Sequence, residues 1–355
     1  MKRILKVWWK IALTMIAAGV ALMVLGFTLG ARGGYAYINS GRLQFSSAGT
    51  YYTIEESNLP PFDIVEVKVR SANIEIVQSD HYGLEMRLPE HEDEPQWGVT
   101  GGKLTIDASK ADNIFSFLNF GFHQSSYIKV YCPSSNASSA SGFSSNKLQS
   151  VDLTAGSGDI SLQGISADRI GINTSSGLVR INTPYYQSVV AHATSGDITF
   201  SGAGDNASLT LSSISGSIKA DASGCGAVDV ETKSGDITIL GETSADMEMR
   251  VMVSSGRIDI NTASWKSLTA QAASGDIKIT GDPHGTTSAT AGSGDITMRL
   301  SGTASDFSYD ISTGSGFIRF GENRIGSPAR NINSAAINTL SIRTSSGNVR
   351  VDFDR

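Results

Sequence analysis

The chain carries a short motif, Ser-Gly-x-Ile/Val, ten times between residues 157 and 349, usually 19 to 22 residues apart. Five of the copies read Ser-Gly-Asp-Ile. The copies begin at Ser157, Ser176, Ser195, Ser215, Ser234, Ser255, Ser274, Ser293, Ser315 and Ser346. A period of about 20 residues is typical of solenoids, in which each repeat buries its apolar face against its neighbours. This repeat constrains the fold more than any other feature of the sequence.

Apolar residues alternate with polar residues on both sides of each motif. In the first copy, Val151 and Leu153 precede the motif, and Ile160 and Leu162 follow it on either side of Ser161. Alternation at period two indicates a strand with one buried face, and glycine tolerates the positive φ of a tight corner. We therefore predict an all-β fold, a right-handed single-stranded β-helix or solenoid. Each coil of about 19–21 residues would contain a strand, a corner, a second strand and a looser turn.

Equivalent residues of successive coils are expected to form ladders about 4.8 Å apart. Stacking in chain order gives this ladder after the glycine: Asp159, Leu178, Asp197, Ser217, Asp236, Arg257, Asp276, Asp295, Phe317 and Asn348. Opposite charges stabilise neighbouring positions of a sheet and like charges destabilise them. Arg257 falls between Asp236 and Asp276, and only Asp276 and Asp295 are expected to be neighbouring carboxylates.

The N-terminus has the pattern of a membrane anchor. Residues 1–10 carry four basic side chains, and residues 11–30 carry no charge. Twenty apolar residues suffice to span a bilayer as a helix, and preceding basic residues favour a cytoplasmic N-terminus. We predict a basic cytoplasmic tail over 1–10, a transmembrane helix over 11–30 and an extracytoplasmic remainder. A cleaved signal peptide is the alternative, and the sequence does not settle whether the helix is cut.

Three further regions follow the anchor. Residues 31–60 are rich in Gly, Ser and Tyr, which indicates a stalk or linker. Residues 61–149 contain irregular strand patterns, which we interpret as the first coils and the N-terminal cap, because the terminal repeats of a solenoid must be atypical. Residues 150–355 contain the regular repeats.

Charge and cysteine content exclude several classes of protein. The net charge is −6, and since residues 1–10 contribute +4, the remainder stands at −10. A chain with this balance and no basic stripe beyond its start is not expected to bind nucleic acid. The two cysteines, Cys132 and Cys225, do not indicate a disulfide framework or a zinc site.

The Ser-Gly-Asp copies have some likeness to calcium-binding β-rolls, but those repeat every nine residues. The simpler interpretation is that each aspartate caps its corner by accepting hydrogen bonds from backbone N–H groups. Asp276 and Asp295 are the candidate metal ligands, since two stacked carboxylates could share a Ca²⁺ ion. The same pair with Arg257 and Lys278 is the one set that could imitate a polysaccharide lyase. We predict no catalytic residues and no other cofactor.

Aromatic residues gather in two places that could contact a partner. The candidates are Phe115, Phe117, Phe120, Phe122 and Tyr127 in one segment, and Tyr185 and Tyr186 in a turn. An exposed apolar patch of this kind would mark a contact with a partner or a membrane surface. The alternative in both places is packing against the solenoid.

The layout resembles the bacterial putative-adhesin β-strand-repeat family of envelope proteins, to which the LiaG-type proteins of cell-envelope stress operons are similar. The resemblance is carried by the irregular opening Phe62–Glu85, by Tyr127–Pro133 and by Val151–Ile160 with its repeats. It covers roughly residues 60–355 and implies the repeat fold and an envelope location. It implies no catalytic residues, because a shared fold does not fix an activity.

We therefore expect a membrane-anchored extracytoplasmic module that binds without catalysis, in the manner of an adhesin. Its expected partner is cell-wall glycan, another envelope protein or a host protein. One alternative is a regulatory accessory protein that binds a membrane signalling partner and reports envelope stress. Another is a polysaccharide lyase. The sequence identifies neither the ligand nor the oligomeric state.

Overall fold

The computed structural model of the chain describes residues 14–16, 18–19, 34–39, 42–47, 51–89, 94–109, 115–120, 125–133 and 147–354. The predicted anchor over 11–30 lies largely outside these residues, and its two described pieces are helical. Among the described residues, no helix combines the length and the apolar character that crossing a membrane requires.

Beyond these two helical pieces, the described residues form 28 strands and one short 3-10 helix, Ala304–Asp306. The strands are β1 (Gly34–Asn39), β2 (Arg42–Ser47), β3 (Tyr51–Glu56), β4 (Ile64–Ser71), β5 (Asn73–Ser79), β6 (Gly83–Pro89), β7 (Gln96–Thr100), β8 (Lys103–Ala108), β9 (Phe115–Phe120), β10 (Tyr127–Pro133), β11 (Leu148–Ser157), β12 (Ile160–Gln163), β13 (Ala167–Ser176), β14 (Val179–Ser195), β15 (Ile198–Ser215), β16 (Ile218–Asp221), β17 (Cys225–Ser234), β18 (Ile237–Gly241), β19 (Glu248–Ser255), β20 (Ile258–Ser274), β21 (Ile277–Ser293), β22 (Ile296–Ser301), β23 (Phe307–Ser315), β24 (Ile318–Phe320), β25 (Asn323–Ile325), β26 (Ala329–Asn331), β27 (Asn338–Ser346) and β28 (Val349–Asp354). The prediction of an all-β fold is confirmed.

Each coil contributes a strand to each of two parallel sheets. The pre-corner sheet contains the strands that lead up to the Ser-Gly corner, in the order β8-β4-β11-β13-β14-β15-β17-β19-β20-β21-β27-β23. The post-corner sheet contains the strands that follow it, in the order β10-β5-β12-β14-β15-β16-β18-β20-β21-β22-β28-β24. Twelve coil levels at about 4.8 Å give a stack about 50 Å long.

The alternating pattern of the sequence determines which residues form the core. Ile170 of one coil lies between Val151 and Val189 of its two neighbours, and all three side chains are buried. Long strands such as β14 arise where the chain continues through the looser turn into the next coil. Large side chains fill the interior near this turn, where the indole Nε1 of Trp265 donates to the hydroxyl of Thr287 at 2.9 Å.

The motif glycines form a ladder of backbone contacts at the corner. Nine of the ten have φ between 130° and 152°, a region that L side chains rarely adopt. A Cβ atom on Gly275 would lie 1.9 Å from the carbonyl oxygen of Gly256, and a Cβ atom on Gly196 would lie equally close to that of Gly177. Glycine is therefore required twice over, by the backbone angle and by the close approach of the neighbouring coil.

Buried hydroxyl groups reinforce this corner. Two residues before the motif serine, several copies have Thr or Ser instead of an apolar residue. The hydroxyl of Thr232 donates to the carbonyl of Gly216 at 3.0 Å, and the hydroxyl of Thr344 donates to that of Gly294 at 3.0 Å. A buried hydroxyl needs such a partner, and here the bond also joins one coil to the next.

Antiparallel strands terminate the stack at both ends. At one end β7 pairs with β8, and β6 and β3 extend the post-corner sheet beyond β10. At the other end β26 pairs with β23 and β25 pairs with β24. Three phenylalanines, Phe307, Phe320 and Phe353, pack together inside this second end, with ring centroids 5.0–5.2 Å apart. Such caps protect the parallel edges from pairing with other chains.

The last coil does not stack in chain order. Strands β27 and β28 lie between the coil that contains Ser293 and the coil that contains Ser315. The order expected for the corner ladder is therefore wrong at its end, since Asn348 follows Asp295 and Phe317 comes last. The chain passes directly to the outermost coil through residues 302–306 and returns to fill the level between.

A small antiparallel sheet accounts for part of the region predicted to be a stalk. Strands β1 and β2 pair with each other, and β1 also pairs with β9. Strand β3 joins the cap. The predicted stalk over 31–60 thus contains three strands, because alternation such as Tyr35, Tyr37 and then Leu43, Phe45 persists within its Gly- and Ser-rich composition.

We predict that Gly275→Ala destabilises the stack strongly, because the new Cβ meets the Gly256 carbonyl and the residue keeps a strained φ. The expected loss is about 3 kcal/mol or more, seen as a lower guanidinium midpoint. Gly98→Ala is the control, since Gly98 has no neighbouring atom within 4 Å and no positive φ, so its replacement should leave stability unchanged or raise it by up to about 1 kcal/mol. Equal midpoints for the two variants would contradict the glycine ladder.

Candidate binding surface

The aspartates that follow the motif glycines accept hydrogen bonds from the next coil. The carboxylate Oδ1 of Asp159 accepts from the backbone N–H of Leu178 at 2.9 Å, and that of Asp236 accepts from Arg257 at 2.8 Å. The amide oxygen of Asn348 does the same for Phe317 at 3.2 Å. These side chains satisfy backbone groups at a corner where the strand ladder is interrupted.

The two candidate metal ligands belong to this ladder. Oδ1 of Asp276 accepts from the backbone N–H of Asp295 at 2.9 Å, and Oδ1 of Asp295 accepts from the backbone N–H of Asn348 at 2.7 Å. Lys278 belongs to the set that could imitate a lyase. Its Nζ lies 3.4 Å from Oδ2 of Asp259. Within the described ranges, no group of three or more His, Cys, Asp or Glu side chains is arranged to hold a metal ion.

Three members of the phenylalanine segment belong to a different sheet from those of the stack. Phe115, Phe117 and Phe120 lie on strand β9, in the small sheet with β1 and β2. Phe122 lies outside the described residues. Tyr127 lies on β10, on the outer surface of the post-corner sheet. The structure therefore divides the four described candidates between two sheets.

The two turn tyrosines have different environments. Tyr186 is completely buried, its ring lies 5.1 Å from that of Phe200, and its hydroxyl lies 2.9 Å from the Cys225 sulfur. Burial removes Tyr186 from the candidate contacts and favours the packing alternative. Tyr185 is half-buried, with the Lys147 ammonium 4.9 Å from its ring centroid.

A tyrosine pair surrounds one carboxylate on the outer post-corner surface. The hydroxyls of Tyr127 and Tyr131 both donate to Glu85, the second at 3.0 Å. The hydrogen bond from Tyr127, the largest cause, holds the pKa of Glu85 below its ordinary value. Burial and then the bond to Glu85 raise the pKa of Tyr131 to about 12. The cluster ties β10 to the antiparallel cap strand β6.

A shallow groove of about 280 Å³ crosses four adjacent coils of the pre-corner sheet. It forms where small side chains such as Ser208, Ala227 and Ser267 adjoin the longer Glu248 and Arg250. Its lining residues are Ser208, Leu209, Thr210, Ala227, Val228, Asp229, Glu248, Met249, Arg250, Ser267 and Thr269. The lining offers hydroxyl groups together with two carboxylates and one guanidinium, so that its charge is slightly negative.

A second groove of about 310 Å³ lies on the same face, closer to the corner. It is lined by Glu231, Thr232, Met252, Val253, Ser254, Gln271, Ala272, Ala273, Thr290 and Gly292. Both grooves cross strands β17, β19 and β20. The Arg250 guanidinium, 3.1 Å from an Asp229 carboxylate oxygen, forms a fixed polar pair within the first groove.

Sequence reasoning identified the outward positions of these strands but not the grooves. A groove depends on which long and short side chains become neighbours across coils. The available signal was the ladder alignment itself, which places Ala227 beside Ser208 and Glu248. Side-chain size along each ladder would have indicated a hollow at this level.

Comparison with known proteins identifies the family. The family model Toastrack DUF4097 matches three overlapping stretches, 62–204, 134–242 and 179–352. The chain belongs to the Toastrack DUF4097 family. This confirms the resemblance drawn from the repeat motif, and the matches extend over the cap and the regular coils of the toastrack-like stack. No curated protein matches the chain.

Several solved structures have a similar arrangement. A putative adhesin of Bacteroides fragilis is 14% identical, with 86% of this chain and 98% of that chain covered and a TM-score of 0.35. A putative adhesin of Parabacteroides distasonis is 13% identical, with coverages of 84% and 98% and a TM-score of 0.36. A putative lipid binding protein of the same species is 17% identical, with coverages of 85% and 97% and a TM-score of 0.33. At these values the likeness carries no information about a ligand.

We predict that Asp276→Asn leaves stability nearly unchanged, because the amide oxygen can still accept from Asp295, as Asn348 does for Phe317. Asp276→Ala should lose about 1 kcal/mol, since that N–H loses its protein acceptor. Thermal unfolding in CaCl₂ and in EDTA measures both effects. A melting temperature that rises with calcium in the natural protein, but not in Asp276→Asn, would instead show that the carboxylate pair binds the ion.

The Glu85 cluster predicts a pH-dependent contribution to stability. Since the folded-state pKa of Glu85 is lowered, its contribution is present above the unfolded-state pKa and is lost as pH falls through the folded-state pKa. The stability difference between the natural protein and Glu85→Gln should thus be larger at pH 7 than below about pH 4. Tyr127→Phe should raise the pKa of Glu85 and weaken this dependence. A stability difference between the natural protein and Glu85→Gln that does not change with pH would contradict this prediction.

Proposed function

We propose that this protein is a membrane-anchored, extracytoplasmic binding module that uses its pre-corner face as an adhesin-like surface and performs no catalysis. The helix proposed over 11–30 would tether a right-handed solenoid to the cell membrane, with residues 1–10 in the cytoplasm. The observation that carries the proposal is the pair of grooves across neighbouring coils of one face, whose linings include hydroxyl, amide and charged groups.

The chemistry of the grooves favours a glycan of the cell wall as the partner. Hydroxyl groups of Ser and Thr, the Gln271 amide and the Asp229–Arg250 pair offer donors and acceptors of the kind that sugar hydroxyls require. Glu231, Asp229 and Glu248 outnumber Arg250, which disfavours an anionic polymer. The coil spacing of about 4.8 Å places polar side chains at regular intervals along the face, which suits a polymer with repeating units.

The test is binding of residues 35–355 to peptidoglycan and envelope glycan preparations, with and without Ca²⁺. Thr210→Arg places a long side chain in the first groove and should weaken binding at least tenfold, which is about 1.4 kcal/mol. Thr199→Arg is the matched control, because Thr199 is equally exposed on the post-corner face. Saturable binding that both variants retain would place the site elsewhere, and absence of binding would exclude a glycan partner.

A second candidate function is a regulatory contact with a membrane signalling protein. It is favoured by the small sheet of β1, β2 and β9, because β1 and β2 directly follow the proposed anchor in the chain and β9 carries the phenylalanine segment. Capture of a sensor kinase or other membrane regulator by the full chain, lost on substitution of Phe115 and Phe117 by serine, would support this function. Capture that both substitutions leave unchanged would contradict it.

A further inference from the structure

The C-terminal coil is inserted between two coils that both precede it in the chain. We call the inserted strands the donor segment and the level that they fill the slot. The donor segment comprises Asn338–Ser346 and Val349–Asp354, with the corner between them. The slot is the level between the coil of Ser293 and the coil of Ser315. Four strands line it, β21 and β22 on one side and β23 and β24 on the other.

Hydrogen bonds and packing hold the donor segment on its inner side. The Asn348 N–H donates to the Asp295 carboxylate at 2.7 Å, and the Thr344 hydroxyl donates to the Gly294 carbonyl at 3.0 Å. A Cβ atom on Gly347 would lie 2.0 Å from that same carbonyl oxygen. The segment is therefore in the same close corner contact as any internal coil.

The outer side repeats these contacts with the terminal coil. The Thr313 hydroxyl donates to the Gly347 carbonyl at 2.7 Å, and the Phe317 N–H donates to Asn348 at 3.2 Å. Between the two sides, Leu340, Ile342, Val349 and Val351 of the segment are all fully buried. Among the residues that the structure describes, the terminal coil thus reaches the rest of the stack only through the donor segment and through residues 302–306.

A linker of residues 321–337 connects the slot wall to the donor segment. It contains only the short strands β25 and β26. Ile332 and Ile337, in this linker, are 73% and 82% exposed, more than any other large apolar side chain in the described ranges.

We propose that the slot also accepts the donor segment of a second copy of this chain, giving a dimer in which the two C-terminal coils are exchanged. The bonds that hold the segment in the slot are made by the segment's own residues, so a segment from a partner would make the same bonds. The linker strands β25 and β26 pair with the slot wall of their own chain, and Asn333 bonds to Ser308, so residues 334–337 would be the hinge of the exchange. Exchange of an identical element is a low-cost route to a symmetric dimer. The two linkers would then run side by side, which would cover Ile332 and Ile337.

The experiment uses two variants of the full chain in detergent, one with Ser312→Cys and the other with Arg343→Cys. These positions are register neighbours on β23 and β27, at the Cα separation of neighbouring strands, about 4.8 Å, which a disulfide can span. The two chains are unfolded together in guanidinium under reducing conditions, refolded as a mixture and oxidised. A disulfide-linked dimer should form, because the cysteine of one chain then lies beside that of its partner.

The matched control is a mixture of Thr269→Cys and Ser288→Cys chains, which are equivalent neighbours inside the continuous stack. We expect at least tenfold more dimer from the slot pair. Gly347→Val, added to the Arg343→Cys chain, should abolish that dimer, because the new side chain meets the Gly294 carbonyl. Ile332→Ser with Ile337→Ser should lower its yield.

A single chain that carries both Ser312→Cys and Arg343→Cys reports on the register itself. It should form the intramolecular disulfide, and failure to do so would overturn the insertion on which the proposal rests. If that disulfide forms while the mixed chains give no more dimer than the control pair, exchange between copies is overturned. A yield that Gly347→Val leaves unchanged would also overturn it.

Discussion

The structure depends on a close contact between the backbones of neighbouring coils at the Ser-Gly corner. Each motif glycine lies so close to the corner carbonyl oxygen of a neighbouring coil that no side chain could lie between them. The approach lets strands on both sides of the corner continue their hydrogen-bonded ladders through every level. The buried hydroxyls and the Asp ladder are consequences of the same geometry, since they satisfy the polar groups that the corner leaves without strand partners.

A stack of identical coils would expose a parallel edge at each end, and this protein closes both ends with antiparallel strands. At the C-terminal end, closure is combined with insertion. The terminal coil carries the hairpin partners β25 and β26 on its outer side and receives the donor segment on its inner side. The end of the stack is consequently held by segments distant in sequence, whereas its middle is held by contacts between consecutive repeats.

Periodicity made the middle of the fold predictable and its ends less so. The alternation around Val151 and Ile160 identified buried residues coil by coil, because each regular coil obeys one rule. The placement of Asn348 could not be predicted, because the copies at Ser315 and Ser346 both fit the level next to Ser293. The outward positions of the candidate surface follow from the alternation, but its grooves depend on side-chain lengths in neighbouring coils, and the burial of Tyr186 depends on the interior space beside Phe200.

The sequence by itself determined the strand class, the coil period, the buried face and the need for glycine at each corner, because these follow from local alternation and from a repeat that recurs. It also determined the family, through the same motif. Only the tertiary structure decided the order of the last two coils, the antiparallel caps and the grooves of the pre-corner face. The physical reason is that several similar strands can fill the same level of the stack. A repeated motif makes these alternatives nearly equal in free energy, so that contacts between distant segments decide among them.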